Sequence, residues 1–143
     1  MKQFLIFCMI GFFVGCQEKP MQEIKQVTIS GQKWYLDIEE AEALAKKEKK
    51  NLLVMVSETT CRWCIKMDKE TLTQISIQNK LSEYILVSLK RSDKKSTKKL
   101  EGFDGNIPSF FFIESQSGFS ESIIGYYEAN TFLDYLREIE DDR

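Results

Sequence analysis

Histidine is absent from all 143 residues. That excludes a Ser-His-Asp or Cys-His nucleophile and any zinc site with imidazole ligands. Proline occurs twice and glycine seven times, too sparsely for a linker or low-complexity chain. A formal net charge of −2 leaves no excess of cations to track a phosphate backbone, so no nucleic-acid partner is expected. The longest apolar run, Phe4 to Val14, is well short of the roughly 20 residues a membrane-spanning helix needs. What remains is a chain that is 43% hydrophobic and 12% aromatic, of a length that suits one folded domain. It carries four cysteines, Cys8, Cys16, Cys61 and Cys64, which fall into two groups.

The first group belongs to the N-terminus. Lys2 precedes the apolar run, and Gly15 and Cys16 end it, which is the layout of a signal peptide. Phe13-Val14-Gly15-Cys16 resembles the lipobox of bacterial lipoproteins, with Phe13 where that family usually has Leu. The resemblance implies a leader over residues 1–15, lipidation of Cys16, a polar tether over 16–26 and a folded domain over 27–143. Cys8 would be removed with the leader. More than one acyl chain gives stable membrane attachment. Gln17 after the cysteine, rather than Asp, favours the outer membrane over the inner, facing the periplasm. A plain secretory signal and a short anchor are the other readings.

The remaining sequence alternates strand and helix signals. Val27 to Ser30 reads as a short strand closed by Gly31. Asp37 with Glu40 makes a capping start for a helix whose face is Ile38, Ala41, Leu44 and Ala45, with lysines at its far end. Leu52 to Ser57 and Ile85 to Leu89 read as strands buried on both faces. Between them, helical spacing runs through Ile65, Met67 and Leu72, breaks near Gln74 to Ser76, and resumes at Ile77, Leu81 and Tyr84. Lys90 to Lys99 reads as a basic, solvated loop. Ser109 to Ile113 and Phe119 to Ile124 form a hairpin about Ser115 to Gly118, and Asn130 is the expected cap of a last helix. Trp34, Tyr126, Tyr127 and Phe110 to Phe112 are expected in the core or sheet. The class is α/β, a central mixed sheet with helices on both faces.

Cys61-Arg62-Trp63-Cys64 follows the first buried strand and opens a helix. Free backbone N–H groups and the helix dipole stabilise a thiolate there, and Arg62 adds a cation. Cys61, at the helix start, is the expected nucleophile, and Cys64, one turn in, the resolving thiol. A purely structural disulfide would close a very small loop. A zinc knuckle lacks ligands, and a copper-carrying ferredoxin-like domain would place the pair near its own N-terminus.

From about Trp34 onward the chain resembles the thioredoxin superfamily, in particular its exported members and the periplasmic C-terminal domain of the thiol:disulfide interchange reductase. Asp37-Ile38-Glu39-Glu40-Ala41, Asn51-Leu52-Leu53-Val54, the run Cys61 to Thr71, Ile107-Pro108-Ser109 and Gly125 carry the likeness. It implies a thioredoxin-like fold and a cis peptide at Pro108 against the cysteine pair. Ile107, Pro108, Arg62 and Trp63 would position substrate, and no cofactor is required. It also implies exported cysteine-containing proteins and an electron donor of the disulfide-interchange type as partners of a monomer. The family's buried Asp, six residues before the first cysteine, is replaced by Met55. Asp68 or Glu58 is then the candidate proton acceptor for Cys64. The reading is a membrane-tethered thiol:disulfide oxidoreductase. Its alternative is a non-catalytic binding or redox-sensing lipoprotein with a structural disulfide.

Overall fold

The computed structural model describes residues 25–142, so the expected leader, Cys16 and the tether up to residue 24 lie outside it. Among the described residues six strands make one sheet: β1 (Gln26–Ile29), β2 (Gln32–Tyr35), β3 (Leu52–Ser57), β4 (Ile85–Lys90), β5 (Ser109–Ile113) and β6 (Ser120–Ile124). Their order is β1-β2-β4-β3-β5-β6. Strands β3 and β4 pair in parallel with Leu52 opposite Ile85, while β5 runs antiparallel on the other side of β3. Every residue of β3 is buried: the apolar run Leu52 to Val56 requires it, and the polar Ser57 at its end is buried too.

Alternation along these strands divides the core into two layers. Leu53, Met55, Phe110 and Phe112 face one side, with Met67, Leu72, Ile77, Leu81, Phe132 and Leu136. Leu52, Val54, Val56 and Phe111 face the other, against Ile38, Ala41 and Ala45 of helix α1 (Ile38–Glu48). The Asp37 carboxylate caps α1 by accepting from the amides of Glu39 and Glu40 at 2.9 and 3.1 Å. Lys49, in the left-handed conformation, ends it before Asn51.

Several elements depart from the sequence reading. Strand β2 forms an antiparallel hairpin with β1 through Ser30 and Gly31, both at positive φ, as two-residue hairpin turns demand. Gln26 is the first residue of β1, one residue before the expected domain boundary. Helix α2 (Arg62–Lys66) passes directly into a π-helical turn, Met67–Thr71, before α3 (Ile75–Leu81) begins. Met67 and Leu72, five residues apart, are therefore both buried, whereas Ile65 is exposed. The basic stretch is not wholly loop. Asp93 caps a one-turn helix α4 (Lys94–Thr97), accepting from the Ser96 amide at 3.2 Å.

The last helix, α5 (Ala129–Asp141), starts one residue before the expected Asn130 cap. Glu128 stands at its N-cap without a side-chain hydrogen bond. Apolar packing of Phe132 and Leu136 holds the helix, and its far end is pinned by Lys80, whose ammonium lies 2.6 Å from Glu140 and 2.7 Å from Glu83. Burial alone would lower the Lys80 pKa, but the hydrogen bonds to Glu140 and Glu83 outweigh it and hold the ammonium above the ordinary lysine value. The associated stabilisation is complete below the unfolded lysine range and is lost as pH rises through the raised value. Lys80→Met should cost about 1–2 kcal/mol at neutral pH. Urea denaturation should show that difference shrinking in alkali.

Candidate active site

The parallel strands β3 and β4 end on the same side of the sheet, and the turn Glu58 to Thr60 delivers the chain from β3 to Cys61. Cys61 is the N-cap of α2. Its sulfur accepts the Cys64 amide at 3.1 Å, in the manner of a capping oxygen. That contact gives a thiolate at Cys61 a ready donor, and the helix start adds a favourable field. The two sulfurs are joined as a disulfide, with Cα atoms 5.2 Å apart. Cys61 is half-buried, whereas Cys64 is only 6% exposed. An incoming sulfur thus meets Cys61 first.

The segment before β5 closes over the pair. The Ile107–Pro108 peptide is cis, and the Ile107 carbonyl oxygen lies 3.9 Å from the Cys61 sulfur. The Pro108 carbonyl accepts from Gly125 at 2.8 Å, and Ser109 Oγ donates to the Asn106 carbonyl at 2.5 Å. The loop is therefore held from both ends against the nucleophile. Gly125, at φ +107, occupies backbone space that side-chain-bearing residues rarely adopt.

Beyond Cys61 lies an aromatic platform. Trp63 is 48% exposed, and its ring stacks at 5.7 Å on Tyr126. The Lys66 ammonium lies over Tyr126 at 4.4 Å and over Trp63 at 5.5 Å, and the Arg62 guanidinium is 5.4 Å from the Trp63 ring. Glu70 completes the group, accepting from the Tyr126 hydroxyl at 3.0 Å and pairing with Lys66 at 3.7 Å. Tyr126 and Tyr127, expected in the core or sheet, are half-buried and pack against the core layer that holds Phe110 and Phe132, and Tyr126 also meets Trp63 and Lys66. Trp34 and Phe110 to Phe112 are core residues as expected.

Behind the pair opens a cleft of about 490 Å³ whose lining includes Met55, Glu58, Cys64, Asp68, Ser88 and Lys90. Met55, 4% exposed, faces Ser88 and Phe110 in register on its two neighbouring strands. Both candidate proton acceptors reach this cleft, but they differ in what holds them. The Glu58 carboxylate accepts from the Thr59 amide at 3.2 Å, and this bond, with that from the Ser92 hydroxyl, holds its pKa below the usual carboxylate value. The Asp68 carboxylate accepts from the Ser30 hydroxyl. Among the described residues no helix is long and apolar enough to cross a membrane.

A half-buried sulfur at a helix start, a buried partner one turn on and a proline loop above them define a dithiol–disulfide site on an α/β scaffold. The family model of the thioredoxin-like domain matches residues 38–140, and the chain belongs to that family. Its fold is that of a thioredoxin from Thermus thermophilus, with TM-score 0.61 and 21% identity over 73% of this chain and 84% of that one. The oxidised DsbD C-terminal domain of Neisseria meningitidis aligns with TM-score 0.59 and 17% identity, over 73% of this chain and 97% of the domain. A DsbH oxidoreductase aligns with TM-score 0.64 and 14% identity, over 77% and 85% of the two chains. A sequence search of curated proteins found no match. Fold and paired cysteines together support thiol:disulfide oxidoreductase chemistry.

Proposed function

We propose that the chain is a membrane-tethered thiol:disulfide oxidoreductase that faces the periplasm and reduces disulfides of exported proteins. The observation that carries this reading is the unequal exposure of the two sulfurs, with the reachable one at the helix start beside the Ile107 carbonyl. In the reduced protein the Cys61 thiolate attacks a substrate disulfide. One substrate sulfur leaves as a thiolate and takes a proton, and a mixed disulfide forms. Cys64 then gives up its proton and attacks the Cys61 sulfur. The second substrate thiol departs and the Cys61–Cys64 disulfide closes. Two electrons have passed to the substrate, and a donor dithiol of the disulfide-interchange class returns them. Ile107, Pro108, Arg62 and Trp63 line the approach and position the substrate chain.

Asp68 is the better acceptor for the Cys64 proton, because it follows Cys64 by four residues in the same helical run and its carboxylate is held at the cleft by the Ser30 hydroxyl, whereas the Glu58 carboxylate is directed to Thr59 and Ser92. Asp68→Asn should slow breakdown of the mixed disulfide about tenfold or more. Glu58→Gln should leave it unchanged. Stopped-flow release of the second thiol from an aryl disulfide reporter reads this step directly. An unaltered pH–rate profile in Asp68→Asn would remove the assignment.

Lipidation at Cys16 supplies the tether in this reading, with the outer membrane favoured. The Leu36 amide donates to the Lys25 carbonyl at 3.0 Å, so the chain arrives beside the C-terminal end of β2, the sheet end that carries Cys61. A tether attached there holds the cysteine pair toward its anchoring surface. The test is a Cys64→Ser protein expressed in cells. It should accumulate mixed disulfides through Cys61 with exported proteins in the membrane fraction, and Cys16→Ala should release them from that fraction. An empty trap would overturn the reading.

A further inference from the structure

We infer that Ser30, at the tip of the β1–β2 hairpin, is a positioning residue that holds the Asp68 carboxylate at the Cys64 cleft. The inference rests on the reading of Asp68 as proton acceptor for Cys64. Three features converge on it. The Ser30 hydroxyl donates to the Asp68 carboxylate and also lies 2.8 Å from the Asp68 carbonyl, across 38 residues of sequence. The hairpin tip is itself anchored, since Gln78 Nε2 donates to the Ser30 carbonyl at 2.6 Å and Gln32 Nε2 to the Gln78 carbonyl at 3.3 Å. Finally, Asp68 sits in the π-helical turn. In an α-turn the Leu72 amide would be directed to the Asp68 carbonyl. Here it donates to Met67 at 3.0 Å, and the Ser30 hydroxyl reaches the Asp68 carbonyl.

The two irregularities therefore meet at one point. Ser30 adopts φ +49, a conformation uncommon outside glycine, and π-turns are frequent at functional sites. A donor to the carboxylate fixes its direction. The other charged groups lining the cleft are Glu58, Lys90 and Asp93, with Lys69 next to Asp68 in its own turn.

Ser30→Gly removes the hydroxyl while suiting the positive φ, so the hairpin is retained. In the full-length protein this variant should change the carbon-13 chemical shift of the Asp68 carboxyl, which reports the loss of its hydrogen bond. It should also slow second-thiol release from the aryl disulfide reporter about tenfold, with a shifted pH profile. In an Asp68→Asn background it should have no further effect. If Asp68→Asn alone leaves release unchanged, the proton-acceptor reading falls, and this inference with it. If Asp68→Asn slows release but Ser30→Gly moves neither the carboxyl signal nor the rate, the inference alone falls. Equal slowing by Ser30→Gly with and without Asp68 would assign Ser30 a purely structural role and overturn it.

Discussion

Cys61→Ser is expected to lower insulin-disulfide reduction by at least about a thousandfold, to the uncatalysed rate. A serine hydroxyl at a helix N-cap keeps the capping bond to the Cys64 amide, so the fold survives while the nucleophile is lost. Cys64 cannot take over. It is 6% exposed, lies one turn inside the helix and is separated from an approaching substrate by Cys61 and the Ile107–Pro108 loop. Cys64→Ser should fail differently, completing the first attack and stopping at the mixed disulfide. Equal rates for wild type and Cys61→Ser would show the pair to be structural and favour a binding module.

Phe110→Ala should destabilise the domain by about 3–5 kcal/mol, a large part of the roughly 5–15 kcal/mol expected for a protein of this size. Phe110 is fully buried, its ring centroid is 4.7 Å from that of Phe132, and it lies between Met55 and Ile123 in the sheet register. Truncation would leave a cavity between the sheet and α5. Strand β5 also begins directly after Pro108, so loosening it weakens the floor of the substrate loop. Phe110→Leu, which keeps most of the volume, should cost about 1–1.5 kcal/mol. Urea midpoints of the two variants at constant m-value provide the check. A loss below about 1 kcal/mol for the alanine would mean that this layer is not close-packed.

The parts of the fold legible in the sequence are those whose signals are local. Asp37 and the lysines mark both ends of α1, and the mainly apolar runs Leu52 to Val56 and Ile85 to Leu89 call for burial on both faces. The cysteine pair after β3 and the proline before β5 locate the two halves of the site, and the cis peptide at Pro108 agrees with the expectation from the family likeness. Strand β2 was not legible because it is four residues long, joins β4 at one position, Tyr35 opposite Val87, and draws most of its pairing from β1. The π-helical turn hid behind an apparently helical pattern. Only the five-residue spacing of Met67 and Leu72 recorded it, and α-helical periodicity absorbs one such irregularity without contradiction.

Side-chain relations across the sheet were hidden for a different reason. Asp68 was identified by its position one turn beyond Cys64, yet the hydroxyl that holds it comes from a hairpin 38 residues away. Spacing from the cysteines does not tell what holds each candidate acceptor. Glu58 is committed to Thr59 and Ser92, and no sequence rule states that.

The most direct test of the central claim is peptide mass spectrometry of the reduced Cys64→Ser protein after brief exposure to a disulfide peptide. The mechanism requires one adduct, joined through Cys61, and none when Cys61 is also changed to serine. A Cys64→Ser protein that forms no adduct at Cys61, while its fold is intact, would contradict the assignment of Cys61 as nucleophile.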